Sequence, residues 1–230
     1  MQNELLLIAT LIIEYGAVVL AHKFFGKNGL FAWIAIATVL ANIEVMMLVK
    51  AFGIEMTLGN ILFASTFLAT DILSENFGKK EAKQAVLIGI LSSVAFAIIS
   101  VSWLLYAPSA NDINSYAIHE IFTKTTRIVV ASVVVYAIVQ YLDVILYHKI
   151  WDLTSEKAGS KSGLWIRNNV ATMLSQVVNA ILYNVLAFWG VYPGKTLLAI
   201  IVSNILIYIV TSLADTPFLY WARLNKDEKR

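Results

Sequence analysis

Residues Gln84 to Ala107, QAVLIGILSSVAFAIISVSWLLYA, hold no charged side chain and no proline. A helix of that length rises roughly 36 Å, more than the ~30 Å of hydrocarbon in a bilayer. On either side of it the pattern repeats, with further apolar runs at about 5–21, 30–49, 54–74, 126–147, 164–190 and 196–222. They are separated by short segments rich in Lys, Gly, Asn and Asp. The whole chain of 230 residues is 59% hydrophobic and 14% charged, with a mean hydropathy of +0.75. Soluble domains have about 45–50% apolar and about 25% charged residues, so an ordinary water-soluble enzyme does not fit. Seven spans leave no room for an extramembrane domain. The expected fold is an all-α integral membrane protein, one polytopic transmembrane domain over 1–230. Within it, 54–74 is the weak run: Glu55-Met56-Thr57-Leu58-Gly59-Asn60 is polar and flexible, leaving about 13 apolar residues from Ile61. A broken or re-entrant helix fits there as well as a full span.

Basic residues set the expected orientation. With seven spans and the N-terminus outside, the inner segments hold Lys23, Lys27, Lys79, Lys80, Lys83, Lys149, Lys157, Lys161, Arg167, Arg223, Lys226, Lys229 and Arg230. The outer ones hold Lys50, Lys124, Arg127 and Lys195, a split of 13 against 4 that accounts for all 17 basic residues. The C-terminus is then inside. A six-helix core plus an extra N-terminal helix is equally compatible, because removing the first span leaves the alternation intact. Met1-Gln2-Asn3-Glu4 lacks the basic start of a secretory signal, so the first run is expected to stay in the mature protein.

Polar groups inside hydrocarbon cost a few kcal/mol each and normally face a cavity or a partner. Here they recur at helical spacing. The last span carries Asn204, Tyr208, Thr211 and Asp215; the sixth Asn169, Thr172, Gln176, Asn179 and Tyr183; the fifth Tyr136, Gln140, Asp143 and Tyr147, with Arg127 on the opposite side. Asp71 and Glu75 share a face of the third, and Thr38 and Asn42 a face of the second. Helix-to-helix glue would explain any single one of these residues. Together they supply more polarity than packing needs, and a central polar site for a small molecule is the better reading. Amides and carboxylates offer donors and acceptors in one plane, which suits a planar heterocycle with its own amide and amino edge; Tyr and Trp rings supply a stacking face. Asp71, Glu75, Asp143 and Arg167 fall near the cytoplasmic ends of their spans, with Asp215 and Gln176 a little deeper. One cation among four carboxylates points to an inner-side gate or ion-pair cluster, with Asp71 or Asp143 as the expected partner of Arg167.

Other chemistries find no support. There is no Cys, hence no disulfide or thiolate site, and no Walker-type phosphate loop. His22, His119 and His148 are too scattered for haem or metal ligation. A lysine for a retinal Schiff base is missing from the last span, and no Gly-x-Ser-Gly or Gly-x-Gly-Asp protease setting occurs. A net charge of +2 is too small for a nucleic-acid surface. The expectation is a non-enzyme without cofactor or metal, whose partners are a small solute and the lipid bilayer. Oligomeric state is not legible, a homodimer included. Gly89, Ser93 and Ala97, and Ala37 with Ala41, give spacings that allow close helix approach.

Phe67-Leu68-Ala69-Thr70-Asp71-Ile72-Leu73-Ser74-Glu75-Asn76-Phe77-Gly78-Lys79-Lys80 resembles the signature stretch of the queuosine-precursor transporter family, also known as the vitamin uptake transporters. Three further blocks agree: Arg127-Ile128-Val129-Val130-Ala131-Ser132 followed by Gln140-Tyr141-Leu142-Asp143; Trp165-Ile166-Arg167-Asn168-Asn169 followed by Gln176; and Asp215-Thr216-Pro217-Phe218. The likeness covers about 30–222, a six-helix core, and leaves 1–29 as an additional N-terminal helix. It implies uptake across the cytoplasmic (inner) membrane of 7-cyano- or 7-aminomethyl-7-deazaguanine, or queuine, for tRNA modification. The alternatives are a carrier for another vitamin or nucleobase and a non-transporting membrane subunit. By matching motif, the resemblance implies roles for Asp71, Glu75, Arg127, Gln140, Asp143, Arg167, Gln176 and Asp215, and with less force Asn42. The stripes add Asn179, Tyr183, Asn204 and Tyr208 to the expected substrate wall, with Arg127 and Arg167 as gate or ion-pair residues. Two departures stand out. Asn179 lies where the pattern leads one to expect Asp, and Ile207 and Tyr208 lie where some members carry a membrane lysine. Both leave substrate choice within the class, and coupling to protons, open.

Overall fold

The computed structural model describes residues 2–158 and 163–227. Lys161, Lys229 and Arg230 of the charge count lie outside the described residues. Seven helices run in the order α1 (Gln2–Phe25), α2 (Lys27–Glu44), α3 (Gly59–Phe77), α4 (Lys79–Trp103), α5 (Ser115–Ala158), α6 (Leu164–Phe188) and α7 (Gly194–Asp227). A short antiparallel hairpin, β1 (Leu48–Ala51) and β2 (Ile54–Thr57), lies between α2 and α3.

The expected all-α class holds apart from this hairpin, which corrects the second run at 30–49 and the start of the third at 54. Helix α2 stops at Glu44, and Phe52-Gly53 turns the chain with φ angles of 52° and 76°, a two-residue turn that matches the strand twist. Ala51 and Met56 pack with Leu7 of α1 and Ile61 of α3. The N-terminus of α1 holds the turn: Asn3 Nδ2 donates to the Lys50 carbonyl at 2.9 Å, and the Phe52 amide donates to Glu4 Oε1 at 3.2 Å. The polar stretch before Ile61 is thus largely strand and turn, and α3 follows as one continuous helix.

Among the described residues, five helical stretches are long and apolar enough to cross a membrane: α1, α4, α6, residues Arg127–Thr154 of α5 and Gly194–Arg223 of α7. Their outer faces carry exposed Leu5, Ile12, Leu87, Leu91, Val134, Leu174, Val202 and Leu206. An apolar exterior around a polar interior is the arrangement a bilayer solvent selects. The chain is a multi-pass, mostly helical membrane protein.

Helix α3 lies at the centre. Sixteen of its 19 residues are buried, and α1, α2, α4, α5 and α7 all pack against it. Its neighbours are protein rather than lipid, so it has no need of an all-apolar surface, which is why it reads as the weakest span. Leu68, Ala69, Ile72 and Leu73 of α3 form the main apolar core with Tyr15, Val18 and Val19 of α1, Leu30 and Ile34 of α2, and Ala82, Ala85 and Val86 of α4. Gly26, at φ 60°, is the single residue between α1 and α2, a left-handed position that favours glycine. Gly59 lets α3 start close to α2, since a Cβ there would lie 2.8 Å from the Ala41 carbonyl oxygen.

Gly89 of α4 is filled on its open side by the Tyr136 ring of α5, and any Cβ there would collide with it. Gly89→Val should therefore lower the thermal unfolding midpoint in detergent, with an overpacking cost of about 1–3 kcal/mol. A wild-type midpoint would mean that α4 and α5 do not meet at this point.

Candidate functional site

The polar residues of α3, α5, α6 and α7 meet in the interior at successive depths. Helices α3, α5 and α7 run one way and α6 the other. A register then links Glu75 to Arg167, Asp71 to Thr172 and Asp143 to Ser175.

At one end Arg167, 1% exposed, grips Glu75. Its Nε donates to Oε2 at 3.1 Å, and its Nη2 donates to Oε1 at 2.8 Å and Oε2 at 2.7 Å. The Tyr147 hydroxyl adds a bond to Oε2 at 3.0 Å, and Arg223 Nε lies 3.5 Å from Oε1. The Arg167 guanidinium also covers the Trp151 ring at 4.2 Å. One carboxylate thereby ties together α3, α5, α6 and α7. Several charge-assisted bonds to one planar group give both strength and fixed geometry.

One turn along lie three buried carboxyls, each bonded by a donor from α6. Thr172 Oγ1 donates to Asp71 Oδ2 at 3.2 Å, Ser175 Oγ to Asp143 Oδ1 at 2.7 Å, and Asn168 Nδ2 to Asp215 Oδ1 at 2.7 Å. Next comes Gln140, whose Nε2 donates to Thr66 Oγ1 at 2.6 Å and whose Oε1 accepts from Thr70 at 3.3 Å. These bonds staple α5 to α3.

Beyond Gln140 opens a narrow cavity with room for a few water molecules, lined by Asn60, Phe63, Ser132, Asn179, Tyr183 and Tyr208 among others. The Tyr208 hydroxyl donates to Asn60 Oδ1 at 3.1 Å, and Asn60 Nδ2 lies 3.4 Å from Asn204 Oδ1. Asn179 Nδ2 donates to Gln176 Oε1 at 3.1 Å. The hydroxyls of Tyr183 and Tyr136 and Gln176 Nε2 are buried with no partner in the protein. Phe63 stands edge-to-face with both Phe67 and Tyr136. An aromatic wall, an amide chain and the unpaired Tyr183 hydroxyl are groups that bind a flat, hydrogen-bonding molecule.

Comparison with known proteins agrees with this geometry. Residues 57–222 match the family described as "Putative vitamin uptake transporter". The chain belongs to that family. It is 36% identical over 220 residues to a "Probable queuosine precursor transporter" of Bacillus subtilis (strain 168), covering 95% of this chain and 94% of the relative. It is 25% identical over 149 residues to the "Queuosine precursor transporter" of Escherichia coli (strain K12), covering 65% and 62% respectively. No solved structure matches. The protein is a transporter rather than an enzyme.

In this vitamin uptake transporter the residues expected from sequence do not form one wall. Asn179, Tyr183 and Tyr208 line the cavity; Gln176 and Asn204 support it through the amide bonds above. Asp71, Asp143 and Asp215 lie deeper and do not line it, so no carboxylate reaches a ligand there. Asn42 is buried, with its amide turned back to the Thr38 carbonyl at 2.7 Å. Two charge assignments need correction. Arg167 pairs with Glu75 rather than Asp71 or Asp143, because Glu75 stands at the depth of the first turn of α6 while Asp71 faces Thr172 one turn on. Arg127 is exposed and forms no gate pair; its Nε and Nη2 donate to the carbonyls of Leu186 and Trp189 at 2.8 and 2.9 Å. It serves the unsatisfied carbonyls at the end of α6.

Sequence reasoning missed Asn60, Phe63, Thr66, Asn168, Ser175 and Arg223. Asn60, Phe63, Thr66 and Thr70 recur at helical spacing ahead of Asp71, a signal hidden because the start of this run read as flexible. Asn168 and Ser175 each sit one residue off the stripe counted on α6.

The corrected pairing makes a test. Arg167→Ala strands the buried Glu75 carboxylate and should cost about 3–5 kcal/mol, seen as a lower melting midpoint and lost uptake. Glu75→Gln in the same chain should restore part of the stability, whereas Asp71→Asn should not. Rescue by Asp71→Asn alone would show the pairing to be wrong.

Proposed function

We propose that this transporter imports a 7-deazaguanine precursor of queuosine, of the 7-cyano-, 7-aminomethyl- or queuine type, across the cytoplasmic membrane, with seven spans, the N-terminus outside and the C-terminus inside. Residues 1–29 are then an addition to a family-like core at 30–222. The observation that carries the reading is the cavity. Its amide chain and the unpaired Tyr183 hydroxyl complement a guanine edge, which presents N–H and amino donors beside a carbonyl acceptor, and Phe63 and Tyr183 supply ring faces. The names of both relatives agree. The space is too narrow for a bicyclic ring as it stands, so the ring enters when Phe63 and Tyr183 part. Recognition falls to Asn60, Gln176, Asn179, Tyr183, Asn204 and Tyr208.

The cellular test is uptake of labelled 7-deazaguanine by cells lacking their own synthesis, read as restored tRNA queuosine. Absence of both would overturn the reading. A site that bonds polar edges rejects analogues lacking them, because its own groups are left unpaired. Adenine-type competitors should therefore inhibit poorly.

Asn179→Ala should weaken binding about tenfold, for the loss of roughly 1.4 kcal/mol, with little change in melting midpoint. A lower midpoint with wild-type affinity would remove Asn179 from the site.

The orientation has its own check, with a clean background because native Cys is absent. A cysteine at Ser109 should react with an impermeant thiol reagent applied outside, and one at Lys80 should be shielded. The reverse pattern would invert the topology.

A further inference from the structure

We propose that the Asp71–Asp143 pair, with Asp215 and Asn168 beside it, is a proton-binding site separate from the solute cavity, and that its proton is carried inward together with the solute. The inference rests on the reading above of the chain as a solute carrier.

Acceptors outnumber donors at this depth. Asp71, Asp143, Asp215 and Asn168 are all at most 1% exposed. The donors that reach them are the Thr172 and Ser175 hydroxyls and the Asn168 amide. Asp71 Oδ1, Asp143 Oδ2 and Asn168 Oδ1 are left with no donor. Asn168 is the independent witness here: it is a neutral side chain whose amide is fixed on Asp215, and its oxygen is buried with nothing to accept from. Buried acceptors without partners in a native interior call for an unseen donor. The two arginines nearby pair with Glu75, one turn away.

The donor that fits is a proton. Thr172 and Ser175, on neighbouring turns of α6, hold Asp71 and Asp143 at one depth between α3 and α5. Two carboxyls buried side by side ionise together only at high cost, and one proton shared between them removes that cost. Among the described residues no group of three or more His, Asp or Glu side chains comes together as a metal-holding cluster. The titratable groups facing the pair are Asp215 from α7, Glu75 from α3 and Tyr147 from α5, with Tyr15 of α1 facing Asp215 and Arg167 of α6 held on Glu75.

Depth separates the two sites. Asp71 follows Asn60 by eleven residues on α3, about 16 Å along the helix, with the Gln140–Thr66–Thr70 bonds between. A neutral solute such as the 7-cyano form gains nothing from the membrane potential, and this sequence has no phosphate loop for nucleotide hydrolysis. A carboxyl pair that takes a proton from outside and releases it inside balances the cycle at one proton per solute.

The test uses the purified full chain in liposomes with labelled 7-cyano-7-deazaguanine and an entrapped pH dye. Wild-type protein should accumulate solute up to about tenfold for each unit of inward pH gradient and acidify the lumen as solute enters. Asp71→Asn and Asp143→Asn should lose gradient-driven accumulation and acidification yet still exchange labelled for unlabelled solute at equal pH. Asp143→Glu should keep the pH response. Accumulation that follows a sodium gradient, or that neither responds to pH nor acidifies the lumen, overturns the proton site while leaving the carrier reading intact. Absence of exchange by the wild type instead overturns the carrier reading beneath it. Should the neutral variants fail to fold, Asp143→Glu decides: a pH dependence of coupled uptake displaced from that of the wild type supports the site, and an identical one overturns it.

Discussion

A polar side chain inside a bilayer has no water to bond, so each one must find a protein partner or a ligand. The architecture follows from that constraint acting on α3. This helix carries Asn60, Thr66, Thr70, Asp71, Ser74 and Glu75, too many polar groups to face lipid. Five other helices enclose it, and their outward faces take over the contact with hydrocarbon. The ties that hold it are unequal. Glu75 receives Arg167 and Tyr147 and the nearby charge of Arg223, so that a single buried carboxylate fixes the relative depth of four helices.

Once that depth is fixed, the rest of the polar interior sorts into layers. Each layer differs in its ratio of donors to acceptors. At the Glu75 end strong cationic donors satisfy the carboxylate. Around Asp71, Asp143 and Asp215 the donors are hydroxyls and one amide, and acceptors are left over. At Gln140 one amide is matched on both sides by threonines. In the cavity the imbalance reverses: the Tyr183 hydroxyl is unpaired beside an aromatic face, and the unpaired Gln176 amide nitrogen stands behind Asn179. A flat neutral molecule suits the last layer and a positive charge suits the second. Both layers are built on the same four helices.

The small hairpin after α2 shows the same economy at the surface. Its turn has two left-handed residues, one of them a bulky Phe at φ 52°, a conformation that such a residue adopts only when held. Glu4 and Asn3 at the start of α1 hold it. The first helix is therefore structurally committed to the rest, both here and at Tyr15, whose ring meets Phe218 edge-to-face and whose hydroxyl donates to the Thr211 carbonyl.

Much of this was legible in the sequence, and the boundary of legibility is physical. Hydrophobic runs reveal lipid contact directly, because burial in hydrocarbon demands apolar atoms whatever the neighbours are. Polar stripes at helical spacing reveal which face turns inward, because helical periodicity is a local property. On those two grounds the chain alone determined a multi-pass helical membrane protein with a polar interior, and Gln176, Asn179, Tyr183 and Tyr208 as inward groups. Depth across helices is not local. It depends on turns such as Gly26, on close contacts such as Gly89 against Tyr136, and on which charges find each other first. The tertiary structure therefore decided that Arg167 meets Glu75 rather than Asp71, that Arg127 caps α6, that the weak third run is a continuous central helix preceded by a hairpin, and that the aspartates stand apart from the cavity. A stripe fixes an angle around a helix axis; only packing fixes the position along it.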